Sequence, residues 1–414
     1  VEAQKSDASS VHDASHCGTT QLPASYEKKD AHPAIPIPRR LMRDLVQFLT
    51  DRRPTFGHNP LMCPAFQPAP PLRFLVIVGV ASIMLGAPSL HAKNREVRML
   101  FVGDVLLGAS LGPKLKTHGA GYPSQHVRTI LSDADLVFGN LECPLTTARE
   151  STKGKSQAQL EAKTQFIFKA DPILGAKALQ LAGFTVMSVA NNHSMDYRGI
   201  GMMDTIATLD DAGIVPAGGG ADWDTAAAPR ILTMDDGSTV GVLACSMINP
   251  PYTGAGESTP GAYAIGKRWN PFLEEQIELL DQKCDFVVLS VHWGIERNTT
   301  HQPYQTKIAH AAIDAGADAV IGHHTHCLQP FEWYDGKLIA YSLGNFIFTG
   351  QSKEVSSAIL EIHWTPGRED YDAMLHPVLV RSGVPEPTAD ATIRKSIAQL
   401  APDLTLLKAP VESD

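Results

Sequence analysis

From residue 98 onward the chain repeats one pattern: a short apolar run breaks off at a polar residue that follows a small one or closes the run itself. Arg98 to Val102 ends at Gly103-Asp104, Asp135 to Phe138 at Gly139-Asn140, and Phe184 to Val189 at Ala190-Asn191. Cys284 to Val291 ends at His292, Ala317 to Ile321 at Gly322-His323, and Leu338 to Leu343 at Gly344-Asn345. Continuous apolar runs of this length read as buried strands. Between them, Pro172 to Leu181, Ile200 to Ala212 and Tyr304 to Ala315 carry apolar residues at helical spacing. The alternation predicts an α/β fold with strands feeding loops at one edge. Ser357 to Trp364 and Ala373 to Val380 read as edge or second-sheet strands.

Loops at the carboxyl ends of strands are where α/β proteins place their chemistry. Five strand ends here carry a group able to bind metal or donate a hydrogen bond: Asp104, Asn140 with Glu142, Asn192 with His193, His292, and His324 with His326. A single strand-end histidine is ordinarily a satisfied structural residue; five such ends point to a site. Carboxylate, amide and imidazole donors without thiolate suit Mn²⁺, Fe or Zn²⁺ in an open catalytic site. On an extended chain His324 and His326 project to the same side and can ligate one ion or be divided between two. Glu142 is then the candidate to bridge two ions ~3.5–4 Å apart. His193 can act as general acid or stabilise charge on a substrate, against the plainer reading of a turn histidine. Glu296, just past His292, and His323 read as packing or ligand-orienting groups. Asn345 either caps its loop or reaches the site. Gly218 to Gly220 lacks the lysine of a phosphate loop and reads as a flexible loop.

The first ninety residues differ in kind. Residues 1–73 hold ten of the 29 prolines and no sustained apolar period beyond a short possible helix at Leu41 to Leu49, and read as a disordered or mis-started leader. Phe74 to Ala92 has no charge and follows Arg73, the pattern of a secretory signal peptide with cleavage near Ala92 and a true start at Met62. A buried strand and an uncleaved anchor are the other readings, and N-terminal sequencing of exported protein distinguishes them. The remaining 93–414 reads as one domain. Of the 35 basic and 44 acidic residues, nine and seven lie in the leader, leaving 26 basic against 37 acidic from residue 93 onward. That balance excludes a dedicated nucleic-acid binder, which needs a basic face. Cys143, Cys245, Cys284 and Cys327 show no paired spacing and read mostly as buried apolar residues. Cys143 and Cys327 each adjoin a candidate ligand, and oxidised together they would clamp two loops.

The stretches GDVLLG (103–108), FGNLECPLT (138–146), FKADP (168–172), SVANNHSMDYRGIG (188–201), SVHWGIE (290–296), GHHTHCLQP (322–330) and YSLGNFIF (341–348) occur in that order. Together they resemble the CapA family of bacterial capsule or poly-γ-glutamate synthesis proteins, a branch of the calcineurin-like metallophosphoesterase superfamily. The resemblance implies a four-layer α-β-β-α sandwich with the site at one edge. It assigns Asp104 to the first metal-binding aspartate, Glu142 to the bridging carboxylate, Asn192 and His193 to the Asn-His pair, His292 to the isolated histidine ligand, and His324 with His326 to the closing pair. The superfamily begins with Asp-x-His, whereas Asp104 is followed by Val105 and Leu106. One imidazole of the first ion is therefore missing. The implied function is an exported envelope protein in capsule or poly-γ-glutamate formation, its partners the extracellular polymer or its synthase complex, touching membrane only through the signal or anchor segment. One or two divalent ions would serve phosphoester or amide hydrolysis. The alternative is a non-catalytic polymer-binding component with a degenerate metal site.

Overall fold

The computed structural model describes residues 95–349 and 354–409. The leader, the possible helix at Leu41 to Leu49 and the signal-like segment lie outside the described residues. Six strands carry the candidate site: β1 (Val97–Val105), β2 (Leu136–Leu141), β3 (Val186–Ser188), β4 (Phe286–His292), β5 (Ala319–His323) and β6 (Asn345–Ile347).

The first sheet runs Val384–Pro387, Tyr371–Arg381, Val355–Trp364, β1, β2, β3, Val215–Ala217. Its β1, β2 and β3 are parallel neighbours, with Asp104 opposite Asn140 and Asn140 opposite Ser188. Strand β6 adds to the end of β1 in parallel, which sets Asn345 opposite Asp104. The second sheet runs Phe331–Tyr334, Lys337–Ala340, β5, β4, Thr239–Ser246, Arg230–Thr233, and His292 lies level with His323.

The cores follow from strands that are apolar on both faces. Met99, Phe101, Phe138 and Val186 of the first sheet share one cluster with Val242, Val288, Ile321 and Leu338 of the second. Their neighbours Leu100, Val102, Val137 and Met187 face the other way, onto Leu115, Ile130, Leu179, Met202 and Leu209 of helical segments. Leu243, Val287, Leu289 and Val320 likewise meet Leu273, Ile277, Leu280 and Ile308. The helix Pro172–Ala182 shows the local logic: Asp171 accepts from the Ile173 and Leu174 amides, proline takes the first turn, and Gly183 ends it at φ +89°.

Two expectations change. Val355–Trp364 pairs antiparallel with β1 inside the first sheet, and Tyr371–Arg381 pairs with it in turn, so neither belongs to the second sheet. Gly219–Gly220 is not a loose loop but pairs with Gly261–Ala262, and a Cβ on Gly220 would stand 2.3 Å from the Ala226 nitrogen. Cys143 and Cys327 are both thiols, in keeping with the absence of paired spacing. Among the described residues no helix is long and apolar enough to cross a membrane.

One charged cluster pins the first sheet. Glu361 accepts both arms of Arg98, at 2.7 and 3.1 Å, and bonds His363 and His376. Burial works to raise the Glu361 carboxyl, but His376, Arg98 and His363 outweigh it and hold it well below the usual 4.5. Burial also opposes His363, yet Glu96 and Glu361 hold it above 6.5. The carboxylate therefore stabilises fully above pH 4.5 and loses this as pH falls through its depressed value. The imidazolium stabilises fully below pH 6.5 and loses this as pH rises through its raised value. Glu361→Gln is expected to cost about 3 kcal/mol between those limits, by leaving Arg98 without its carboxylate. The gap to wild type should narrow on either side in thermal unfolding scans from roughly pH 3 to 9.

Candidate metal centre

Close backbone approach brings the strand ends together. A Cβ on Gly103 would lie 1.9 Å from the Gly344 carbonyl, and one on Gly322 would lie 2.0 Å from that of Tyr341, so glycine alone lets these strands meet. Asp104, one residue on, donates its amide to the Gly344 carbonyl at 2.8 Å.

Two groups of donors result, and they share Glu142. In one, Glu142, His292 and His324 offer ligand atoms all within 4.8 Å of one another; in the other, Asp104, Glu142 and His326 do the same. His292 Nε2 stands 3.6 Å from Glu142 Oε1, and His326 Nδ1 stands 3.8 Å from Glu142 Oε2 and 3.4 Å from Asp104 Oδ2. Asn192 joins the first group through its Oδ1, 2.8 Å from His292 Nε2. His324 and His326 are thus divided between the groups. The extended-chain reason expected for this pair does not hold: they lie on a turn after β5, at φ +90° and +57°. Backbone in these regions costs roughly 1–3 kcal/mol per residue, a strain typical of functional sites. Between them, Thr325 Oγ1 is 2.8 Å from both the Cys327 carbonyl and Ser342 Oγ.

The remaining sequence candidates surround this set. Asn140 donates to Asp104 Oδ1 at 2.8 Å and is itself held by Asn191. His323 is fully buried, its Nδ1 3.6 Å from Asp104 Oδ1, with no hydrogen bond to either ring nitrogen among the described residues. Glu296 is exposed; its charge reaches Glu142 and His326 without a hydrogen bond to them. Asn345 Oδ1 is 2.9 Å from His326 Nδ1.

Both Glu142 oxygens are buried with no hydrogen-bond partner among the described residues, as is His324 Nδ1. Burial drives the Glu142 carboxyl well above its usual range, with His326 opposing. Burial and the neighbouring imidazoles keep His292 well below 6.5, and burial with His326 brings His324 down to about 3. Burial acts against His326 too, but Glu142 and Asp104 raise it to about 9. Asp104 is lowered although burial would raise it, because His326, His323 and Asn140 outweigh that effect. A buried carboxylate without partners, beside the neutral imidazoles of His292 and His324, suits a divalent ion.

Two residues went unseen in the sequence. His193 Nδ1 lies 2.8 Å from Asp196 Oδ2 and 3.2 Å from Lys155 Nζ, and Lys155 forms a buried ion pair with Asp196. Asp196 also accepts the Phe168 amide at 2.7 Å, and its carbonyl accepts that of Thr152 at 2.8 Å. It therefore holds the segment 152–168 and the His193 ring at once. Asp196 was visible three residues past His193 in the quoted stretch; Lys155 had no local signal. Phe168 packs 4.5 Å from the His193 ring, and Phe348 4.6 Å from that of His326.

A family model described as "Bacterial capsule synthesis protein PGA_cap" matches residues 98–350. Over 317 residues the chain is 32% identical to the capsule biosynthesis protein CapA of Bacillus anthracis, covering 74% of this chain and 72% of that protein. Over 265 residues it is 31% identical to the PGA biosynthesis protein CapA of Bacillus subtilis (strain 168), covering 64% and 66%.

Proposed function

Because the chain belongs to the bacterial capsule synthesis protein family PGA_cap, we propose that it works in the formation of a capsular polymer such as poly-γ-glutamate, through a metal-dependent hydrolytic site. The observation that carries the reading is Glu142, a buried carboxylate with two unpartnered oxygens, one facing each donor group. The domain is 93–414, in the arrangement of a four-layer α-β-β-α sandwich; the shared core of the two sheets and the helices on their outer faces support this. Residues 74–92 export it to the envelope, where the polymer or its synthase complex is the partner.

Asp104, Glu142, Asn192, His292, His324 and His326 hold one or two ions of Mn²⁺, Fe or Zn²⁺, a choice set by oxygen and nitrogen donors without thiolate. Such an ion supplies Lewis acidity toward a phosphoester or amide oxygen and lowers the pKa of water. His193 turns Nδ1 to Asp196 and Lys155, which leaves Nε2 to carry the proton for a leaving group. Phe168 and Phe348 wall the two histidines His193 and His326 with apolar surface. Leu106 in place of an imidazole favours a second reading, a polymer-binding component without turnover.

Metal content of the purified protein and turnover on a panel of phosphodiesters decide between these. Wild type is expected to hold metal stoichiometrically and turn over; Asp104→Ala and His324→Ala are expected to lose both. Metal-free wild type that still supports polymer formation would overturn the hydrolytic reading.

A further inference from the structure

The two halves of the centre are unequal in imidazoles but alike in amides. Asn192 Oδ1 lies 2.8 Å from His292 Nε2, and Asn345 Oδ1 lies 2.9 Å from His326 Nδ1. That Nδ1 also faces Asp104 Oδ2 at 3.4 Å and Glu142 Oε2 at 3.8 Å, so three oxygens close on one nitrogen. We propose that Asn345 Oδ1 is a protein ligand of the ion held by Asp104, Glu142 and His326, supplying the donor that Leu106 cannot. The inference rests on the proposed metal site and adds to it the residue that makes a second ion tenable.

Three observations support it. The backbone places Asn345 for this: it pairs with Asp104 across parallel β1 and β6, and the Gly344 carbonyl before it accepts the Asp104 amide. Second, Asn345 is 1% exposed, yet its Nδ2 has no partner among the described residues. A buried amide serving structure satisfies its NH₂ group, as Asn191 does by donating to Asn140 Oδ1 and the Leu141 carbonyl. The third is chemical. Once His326 Nδ1 acts as a ligand it carries no proton, so its lone pair and that of Asn345 Oδ1 would repel at 2.9 Å unless a cation draws both. The same holds for His292 and Asn192. An uncharged oxygen donor also spares this half a third carboxylate beside Asp104 and Glu142.

Titrating the full metal-free chain with Mn²⁺ alone, by calorimetry and by electron paramagnetic resonance of the bound ions, tests the assignment without any substrate. Wild type is expected to take up two ions that give the spectrum of a coupled pair. Asn345→Ala should weaken one of them by about 10–100-fold or more and lose the coupled spectrum, while Asn345→Asp, which keeps an oxygen at that place, should retain two. Thermal unfolding without metal checks that the alanine variant is folded. Two ions at unchanged affinity in Asn345→Ala overturn the proposal. A single wild-type ion, lost in His292→Ala and indifferent to Asn345, overturns it and leaves the metal site standing; no stoichiometric ion in wild type overturns both.

Discussion

Glu142→Gln is expected to lose metal and yet to unfold at a higher temperature than wild type when no metal is present. The carboxylate belongs to both donor groups, so its replacement would remove a ligand from an ion held by either. Removing even a group that only supports a ligand costs 10–100-fold in metal affinity, so the loss here should exceed about 100-fold. Without metal the balance reverses. Both oxygens are buried and unpartnered, and burial already penalises the ionised form. A neutral amide of nearly the same shape relieves that penalty by about 1–3 kcal/mol, while Asp104 remains beside His326. Calorimetric scans with and without chelator, together with metal analysis, measure both halves. Unchanged metal content in the variant would remove Glu142 from the centre.

Asp196→Ala should give the largest loss of stability. It leaves the Lys155 ammonium, whose side chain is 5% exposed, without its carboxylate, and it frees the Phe168 amide and the His193 ring together. Breaking a buried ion pair from one side costs about 3–5 kcal/mol, which corresponds to a fall in melting temperature of about 10 °C. Lys155→Met combined with Asp196→Ala should recover part of this, because the stranded charge is gone. A single-variant cost below about 1 kcal/mol would show that the pair does not anchor segment 152–168.

Much of this site could be read from residue order because a strand end is a local event. A glycine that admits a neighbouring strand, followed by a polar side chain, leaves its mark within a few residues, as Gly103-Asp104 and Gly322-His323 do. Partner choice leaves no such mark. Val355–Trp364 looks apolar and extended from its own residues, but its place beside β1 depends on pairing across about 260 positions, as with Arg98 and Glu361. The strand Thr239–Ser246 is apolar but ends without a metal donor, so its own residues do not point to the site. The His324 and His326 turn contains no glycine to announce positive φ. Lys155 sits in a polar stretch, and only Asp196, 41 residues later, explains its burial.

The donors come from both sheets: Asp104, Glu142 and Asn192 lie in or just past strands of the first, His292, His324 and His326 in or just past strands of the second. Asp104 and His324 are 220 residues apart in sequence. An ion seated among them would be a cross-link that closes a loop of 220 residues, and such closures restrict the unfolded chain far more than the folded one. The affinity of such a centre would therefore also be a measure of assembly. Only a chain whose two sheets have already packed can present the donors together, so metal uptake would separate finished copies from unfinished ones before any substrate arrives.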